Sequence, residues 1–302
     1  KAVHGPTYPV MGYVETLEAC LSHPHYKAPL KKLQGRGYAS GFWFNAGGES
    51  SAQVNITEDG NVVVTTGHPD IGGSRASIAN ITAELLGIDV NRVSVLIGDT
   101  ATIGFSNLTG GSRVLFASAL VVTESTNQVI DILKDRASKI WNIDKEAIEW
   151  ENGEARPAGD NAGKFKPLSL VELAEQATPT GGPIGAGHQV NTVGAEGGFA
   201  THICDVEVDI ELGIARVIRY TAAQDVGKAI HPAYVEGQLQ GGVVQGIGWA
   251  LNEEYIYNKE GKLDNPGFLD YRIPVCSDLP MIDTILVDCL LYTSDAADEE
   301  DS

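Results

Sequence analysis

No apolar run of about 18 residues occurs in this chain of 302 residues, which excludes a hydrophobic membrane-spanning helix. Cysteine is sparse. Cys20, Cys204, Cys276 and Cys289 stand far apart and form no Cys-x-x-Cys pair. Neither an iron–sulfur cluster nor a structural zinc site is therefore encoded, and free thiols in a reducing compartment are expected. Positive charge is also scarce: 21 Lys and Arg face 40 Asp and Glu, a net charge of −19. Such a surface repels nucleic acid and anionic membrane, so neither is expected as a main partner. The dinucleotide fingerprint Gly-x-Gly-x-x-Gly, the phosphate loop Gly-x-x-x-x-Gly-Lys, the nucleophile elbow Gly-x-Ser-x-Gly and the zinc helix His-Glu-x-x-His are all missing. The chain starts at Lys1 with no charged-then-apolar leader, and reads as an internal piece of a longer protein.

Glycine is plentiful. The 35 glycines point to tight turns or close backbone approaches, and 43% hydrophobic residues suffice for one large or two ordinary domains. Gly-Gly-Ser-Arg occurs twice, as Gly72-Gly73-Ser74-Arg75 and Gly110-Gly111-Ser112-Arg113. Each copy follows a β-like run (62–66 and 93–97) and opens a helix-like one (76–86 and 114–132). A helix N-terminus offers free N–H groups and the positive end of the dipole. Paired glycines let a ligand approach, serine can cap, and arginine adds a forked donor for phosphate or carboxylate. Two such sites suit a ligand with several anionic groups. The plainer alternative is that the glycines only make turns and the serines only cap helices.

Periodicity predicts helices over 12–22, 74–86, 112–141, 168–177 and 232–250, with Gly87 stopping the second. It predicts strands over 38–44, 93–97 and 284–288. Hairpins are predicted for 52–56 with 61–66, for 147–151 with 154–156 around Asn152-Gly153, for 202–209 with 215–221, and for 253–257 with 262–263. Residues 178–187, rich in Gly and Pro, read as a flexible connection. His23 and His25 flank a proline and read as surface loop residues. Hairpins mixed with βαβ-like units indicate an α+β (mixed α/β) fold. The segment 238–249 places four glycines and three glutamines in a helix-like run. It fits either close packing against another backbone or amide recognition of a polar heterocycle.

Together, Gly12–Thr16, Gly41–Phe44, Asp70–Ser77, Thr109–Arg113, Asp225–Gly248 and Leu269–Arg272 resemble the large, molybdopterin-binding subunit of the xanthine dehydrogenase / aldehyde oxidase family. The resemblance covers nearly all of residues 1–288. It implies that residues 1–48 are the tail of a preceding cofactor-binding domain and 49–288 an incomplete second one. It implies a molybdenum–molybdopterin cofactor, in the cytosine dinucleotide form. It further implies hydroxylation of an aldehyde or N-heterocyclic substrate with oxygen from water. Electrons would leave through [2Fe-2S] and FAD on a small and a medium partner subunit, in a cytoplasmic dimer of heterotrimers, with export of the folded complex as the alternative. The cofactor-binding residues carried over are Gly72, Gly73, Ser74, Arg75, Thr109, Gly110, Gly111, Ser112, Arg113 and Gln245. Glycine stands in the 70–73 loop where many members have a glutamine beside the metal.

The family's catalytic base is a glutamate in a Gly-x-Gly-Glu stretch, expected beyond Asp288. Residues 289–302 instead resemble the translation of a sequencing adapter; leaving out their five carboxylates moves the net charge from −19 to −14. As written, the chain is expected to be inactive by itself. A non-catalytic cofactor-binding homologue, a carbon-monoxide-dehydrogenase-type large subunit and an unrelated phosphate-binding enzyme are the competing readings.

Overall fold

The computed structural model describes residues 11–193 and 197–288. In chain order its helices are α1 (Tyr13–Ser22), α2 (Pro24–Lys27), α3 (Ser74–Leu86), α4 (Thr100–Ile103), α5 (Val114–Trp141), α6 (Leu170–Glu175), α7 (Ala177–Thr180) and α8 (Pro232–Leu251). Its strands are β1 (Gln34–Trp43), β2 (Gly48–Ile56), β3 (Val62–Thr66), β4 (Val93–Ile97), β5 (Ile148–Glu151), β6 (Glu154–Pro157), β7 (Leu168–Ser169), β8 (Ile184–Thr192), β9 (Gly198–Asp209), β10 (Ile214–Asp225) and β11 (Ile282–Val287). The fold is mixed α/β, and the chain divides into two compact units.

One unit comprises residues 44–195. Its main sheet has the order β4-β3-β2-β8, with β3 and β4 parallel and the other pairs antiparallel. Alternation explains the buried face: Val62 and Val64 of β3 and Ala52 and Val54 of β2 are buried. They form one core with Ile78 and Leu86 of α3 and Val121, Val129 and Leu133 of α5. β3, α3 and β4 make a crossover unit, the local arrangement that two parallel neighbours require. Helix α3 ends at Gly87 in the left-handed conformation (φ 68°), where the Ile88 N–H bonds Ala83 O at 3.0 Å. The small sheet β5-β6-β7 completes the unit. Helix α6 starts two residues inside its expected span, because Ser169 and Glu172 form a reciprocal capping box.

Residues 178–187 are not a flexible connection. They contribute the end of α7 and the start of β8, which pairs with the whole of β2. Gly185 and Gly187 mislead a sequence reading here. A Cβ at either would push aside the side-chain oxygen of Asn55 or Gln53 on the neighbouring strand, so the glycines let those side chains lie across β8.

The other unit joins residues 1–43 to 196–302. Its sheet has the order β1-β9-β10-β11. β1 pairs along its full length with β9, from Gln34↔Glu207 to Trp43↔Gly198. In sequence, residues 44–195 are inserted between the paired strands β1 and β9; residues 289–302 lie outside the described ones. Val243 and Ile247 of α8 form a core with Val217, Ala222 and Ile282. The hairpin expected at 253–263 is present in short form: a turn at 258–261 is closed by one antiparallel bridge, Tyr257↔Leu263, without extended strands.

His25 is not a surface residue either. It is 2% exposed, and its Nδ1 lies 2.8 Å from Thr221 Oγ1. Its Nε2 lies 3.1 Å from Asp205 Oδ2. Asp205 is fully buried and accepts from Arg36 Nε (2.6 Å) and Arg219 Nη1 (3.1 Å). Burial pushes the Asp205 carboxyl up, but the hydrogen bonds from Arg36 and His25 outweigh it and hold the group below its usual range. Burial likewise lowers the His25 pKa, so this histidine is neutral at neutral pH.

A Cβ at Gly87 would lie 2.6 Å from Gly153 N and 2.8 Å from Asn152 Cα, both backbone atoms of the β5–β6 turn. Gly87→Ala is expected to destabilise the protein by about 2 kcal/mol or more, since left-handed strain and this contact act together. A urea midpoint equal to the parent's would show that the turn yields freely.

Candidate functional site

β3 and β4 run side by side in the same direction, Val62 opposite Val93 and Thr66 opposite Ile97. Their following loops therefore leave from one edge of the sheet, and each loop carries a Gly-Gly-Ser-Arg copy. The carboxyl edge of neighbouring parallel strands is where open α/β sheets bind ligands. The loops touch: Gly98 N–H donates to Thr66 O at 2.8 Å, and a Cβ at Gly67 would meet Ser106 Oγ at 2.8 Å.

In the first copy, Gly72 (φ 80°) and Gly73 (φ 82°) are both left-handed and lead into α3. Ser74 does not cap the helix. The carboxylate of Asp70 does so, accepting from Arg75 N (3.1 Å), Ser74 Oγ (3.3 Å) and Arg75 Nε (2.8 Å). Arg75 in turn lowers the Asp70 pKa. The positive end of α3 is thus occupied by the protein's own carboxylate, while Arg75 stays half exposed.

In the second copy, Gly111 (φ 72°) and Ser112 (φ 55°) are left-handed, and no side chain caps α5. Thr109 and Ser112 are exposed and Gly110 is half-buried. Ala46 N–H donates to Gly111 O (2.9 Å) and Asn45 Nδ2 to Ser112 O (2.8 Å), pinning the turn. Arg113 is 2% exposed. Its guanidinium donates to Gly47 O, to Glu49 O (2.6 Å), to Asn107 O (3.1 Å) and to Leu108 O (3.3 Å). Arg113 therefore shapes the loop from within, and its donors are spent on backbone carbonyls. The open helix end in this pair of motifs is that of α5.

Sequence reasoning passed over His68, between the two loops. It is 1% exposed, its Nε2 lies 2.9 Å from Ser50 Oγ, and its Nδ1 has no partner among the described residues. Burial, with the Arg113 charge nearby, lowers its pKa to about 4. Only the buried alternation of β3 continuing past Thr66 hinted at it. Glu49 and Asn107 were also missed; Asn107 Nδ2 donates to Glu49 Oε2 at 2.8 Å.

Gln245 belongs to the other compact unit. It lies exposed on α8, as does Gln238, whereas Gln240 Nε2 donates to Ile282 O at 3.3 Å. A Cβ at Gly237, Gly241, Gly242 or Gly246 would meet nothing within 4 Å among the described residues. No cluster of His, Cys, Asp or Glu among the described residues is arranged to hold a metal ion. No described helix is long and apolar enough to cross a membrane.

The family model of the molybdopterin cofactor-binding domain matches residues 23–280. The chain belongs to this family. Its members include molybdenum-dependent oxidoreductases similar to this chain. The putative xanthine dehydrogenase molybdenum-binding subunit of Escherichia coli K12 is 28% identical over 83% of this chain and 34% of its own length. The 6-hydroxypseudooxynicotine dehydrogenase complex subunit gamma of Paenarthrobacter nicotinovorans is 27% identical over 78% of this chain and 30% of its own. The chain thus spans about a third of these relatives. Among solved structures, quinoline 2-oxidoreductase from Pseudomonas putida 86 superposes with a TM-score of 0.80 over 94% of this chain and 40% of that one, at 24% identity, which establishes the shared fold.

Two expected outcomes test the site's construction. Arg113→Ala should cost about 2–4 kcal/mol in urea unfolding, because buried carbonyls lose their donor. Arg75→Ala, exposed and singly paired, should cost less than about 1 kcal/mol; equal losses would contradict the contrast. The second concerns acid. The folded-state pKa of His68 lies below its unfolded value, so the unfolded chain binds the proton first and stability falls as pH drops from about 6.5 towards 4, by up to about 3 kcal/mol. His68→Asn should flatten that slope, and an unchanged slope would assign the acid sensitivity elsewhere.

Proposed function

We propose that this chain is part of the large subunit of a molybdenum hydroxylase, and that the edge formed by the β3 and β4 loops receives the anionic end of a molybdopterin cofactor. The observation that carries this is the uncapped N-terminus of α5 behind the left-handed Gly111-Ser112 turn. Free N–H groups there suit a phosphate, and the exposed Ser112 and Thr109 hydroxyls add donors. In this reading Arg113 positions the turn, and Gly72 and Gly73 allow close approach from the first loop. The Asp70 carboxylate must swing away from α3, or hold Arg75 in place, when a second anion arrives. The donor set is neutral hydroxyl and backbone, matched to phosphate and pterin edges and not to a bare metal ion.

When bound, the group supplies the redox centre for hydroxylation of an aldehyde or N-heterocycle with oxygen from water. The catalytic base is assigned to a glutamate in a Gly-x-Gly-Glu stretch beyond Asp288. Within this reading the cofactor is the cytosine dinucleotide form. [2Fe-2S] and FAD reside on small and medium partner subunits, in a cytoplasmic dimer of heterotrimers. A glycine stands in the 70–73 loop where many members of the family have a glutamine beside the metal, which is a reason to test cofactor loading separately from activity. Gln245, exposed on α8, is kept in this reading as a cofactor-binding residue carried over from the family resemblance.

Ser112→Gly separates binding from folding. Glycine keeps the left-handed backbone but deletes the hydroxyl. In the complete subunit, molybdenum and pterin per polypeptide are expected to drop several-fold while the urea midpoint stays near the parent's. Parent-level occupancy would overturn the role given to the second motif.

A further inference from the structure

The compact unit containing α8 holds a cavity of about 570 Å3 that plays no part in the reading above. It is lined by Arg216 at the start of β10, by Val217 and Ile247, and by Arg272, Asp278 and Leu279 of the segment after α8. That volume is in the range that holds small organic ligands.

The wall of the cavity is built tightly. Tyr271 donates to Glu253 Oε2 at 2.8 Å, anchoring the segment that carries Arg272 to the end of α8. A Cβ at Gly248 would lie 2.8 Å from Pro274 Cδ, so glycine is what lets this segment lie directly on the helix. On the opposite wall, the register between β9 and β10 shifts between Val217 and Arg219. Such irregularities redirect side chains and recur beside binding sites.

The charge is the unusual part. In a chain of net charge −19, two exposed arginines, Arg216 and Arg272, line one cavity. Neither Arg216 nor Arg272 has an ion-pair or hydrogen-bond partner among the described residues, whereas Arg36, Arg75, Arg113, Arg136 and Arg219 all do. Asp278 supplies the one acidic side chain on the lining, and its carboxylate already accepts from Val275 N at 3.0 Å. Two unpaired guanidiniums on a lining that also includes Val217, Ile247 and Leu279 suit an anion that carries a small apolar body.

We propose that this cavity binds a small organic carboxylate, its carboxyl group held by Arg216 and Arg272 and its apolar body against Val217, Ile247 and Leu279. Benzoate is the probe, titrated calorimetrically into the complete subunit, with inorganic phosphate as the comparison. Saturable benzoate binding is expected. Arg216→Gln and Arg272→Gln together should weaken it by about tenfold or more, since each removes a charge-assisted contact. Asp278→Asn keeps an acceptor for Val275 N–H but removes the competing charge. It should tighten benzoate binding about threefold, a gain that misfolding cannot mimic. The proposal is overturned if benzoate does not saturate, or if the arginine double variant binds it as the parent does with its circular dichroism intact. It is overturned equally if phosphate binds as tightly as benzoate, which would make the cavity a general anion patch.

Discussion

The candidate site depends on one buried guanidinium. Arg113 reaches the backbone carbonyls of residues 47, 49, 107 and 108 and so joins the start of β2 to the end of the long loop before α5. A charge this deep is tolerated only because each direction it points meets an acceptor. Without it, the left-handed turn at Gly111-Ser112 would have no fixed floor and the α5 N-terminus no fixed surroundings. The same charge lies close enough to His68 to help keep that imidazole neutral. The arginine of the second motif thus spends its donors on the backbone of its own loop.

The two copies of Gly-Gly-Ser-Arg consequently differ in physical state although they share four letters. The α3 end is neutralised by Asp70, four residues before the serine, and its arginine is turned back onto that carboxylate. The α5 end carries no such residue. The residue four before Ser112 is Leu108, which leaves the helix dipole uncompensated. This asymmetry follows from one side chain and gives the two loops unequal roles in any anion recognition.

Much of the fold was legible in the sequence because its signals are local. The alternation of Val62, Val64 and Thr66, the left-handed Gly87 after α3, the Asn152-Gly153 turn and the long apolar stripe of α5 each depend on neighbours within a few residues. β8 was hidden because Gly185 and Gly187 look like loop residues until Asn55 and Gln53 are placed beside them. His25 was hidden because its burial is set by Asp205 and Thr221, about 180 and 196 residues away along the chain. The expected 253–263 hairpin reduced to one bridge, since Asn265 Oδ1 and Nδ2 take the backbone partners Ile256 N and Glu254 O.

By itself the sequence determined the mixed α/β class and the helices and strands that flank both glycine motifs, which rest on periodicity, and the resemblance to molybdopterin-binding subunits, which rests on motifs of contiguous residues. Only the tertiary structure decided that β3 and β4 lie parallel and adjacent so that both motifs leave from one edge. It alone decided that Arg113 turns inward while Arg216 and Arg272 stay unspent, and that β1 closes onto β9 across an inserted unit. Those outcomes are fixed by pairings between distant residues and by where each buried charge finds an acceptor, and neither is written in any short stretch of the chain.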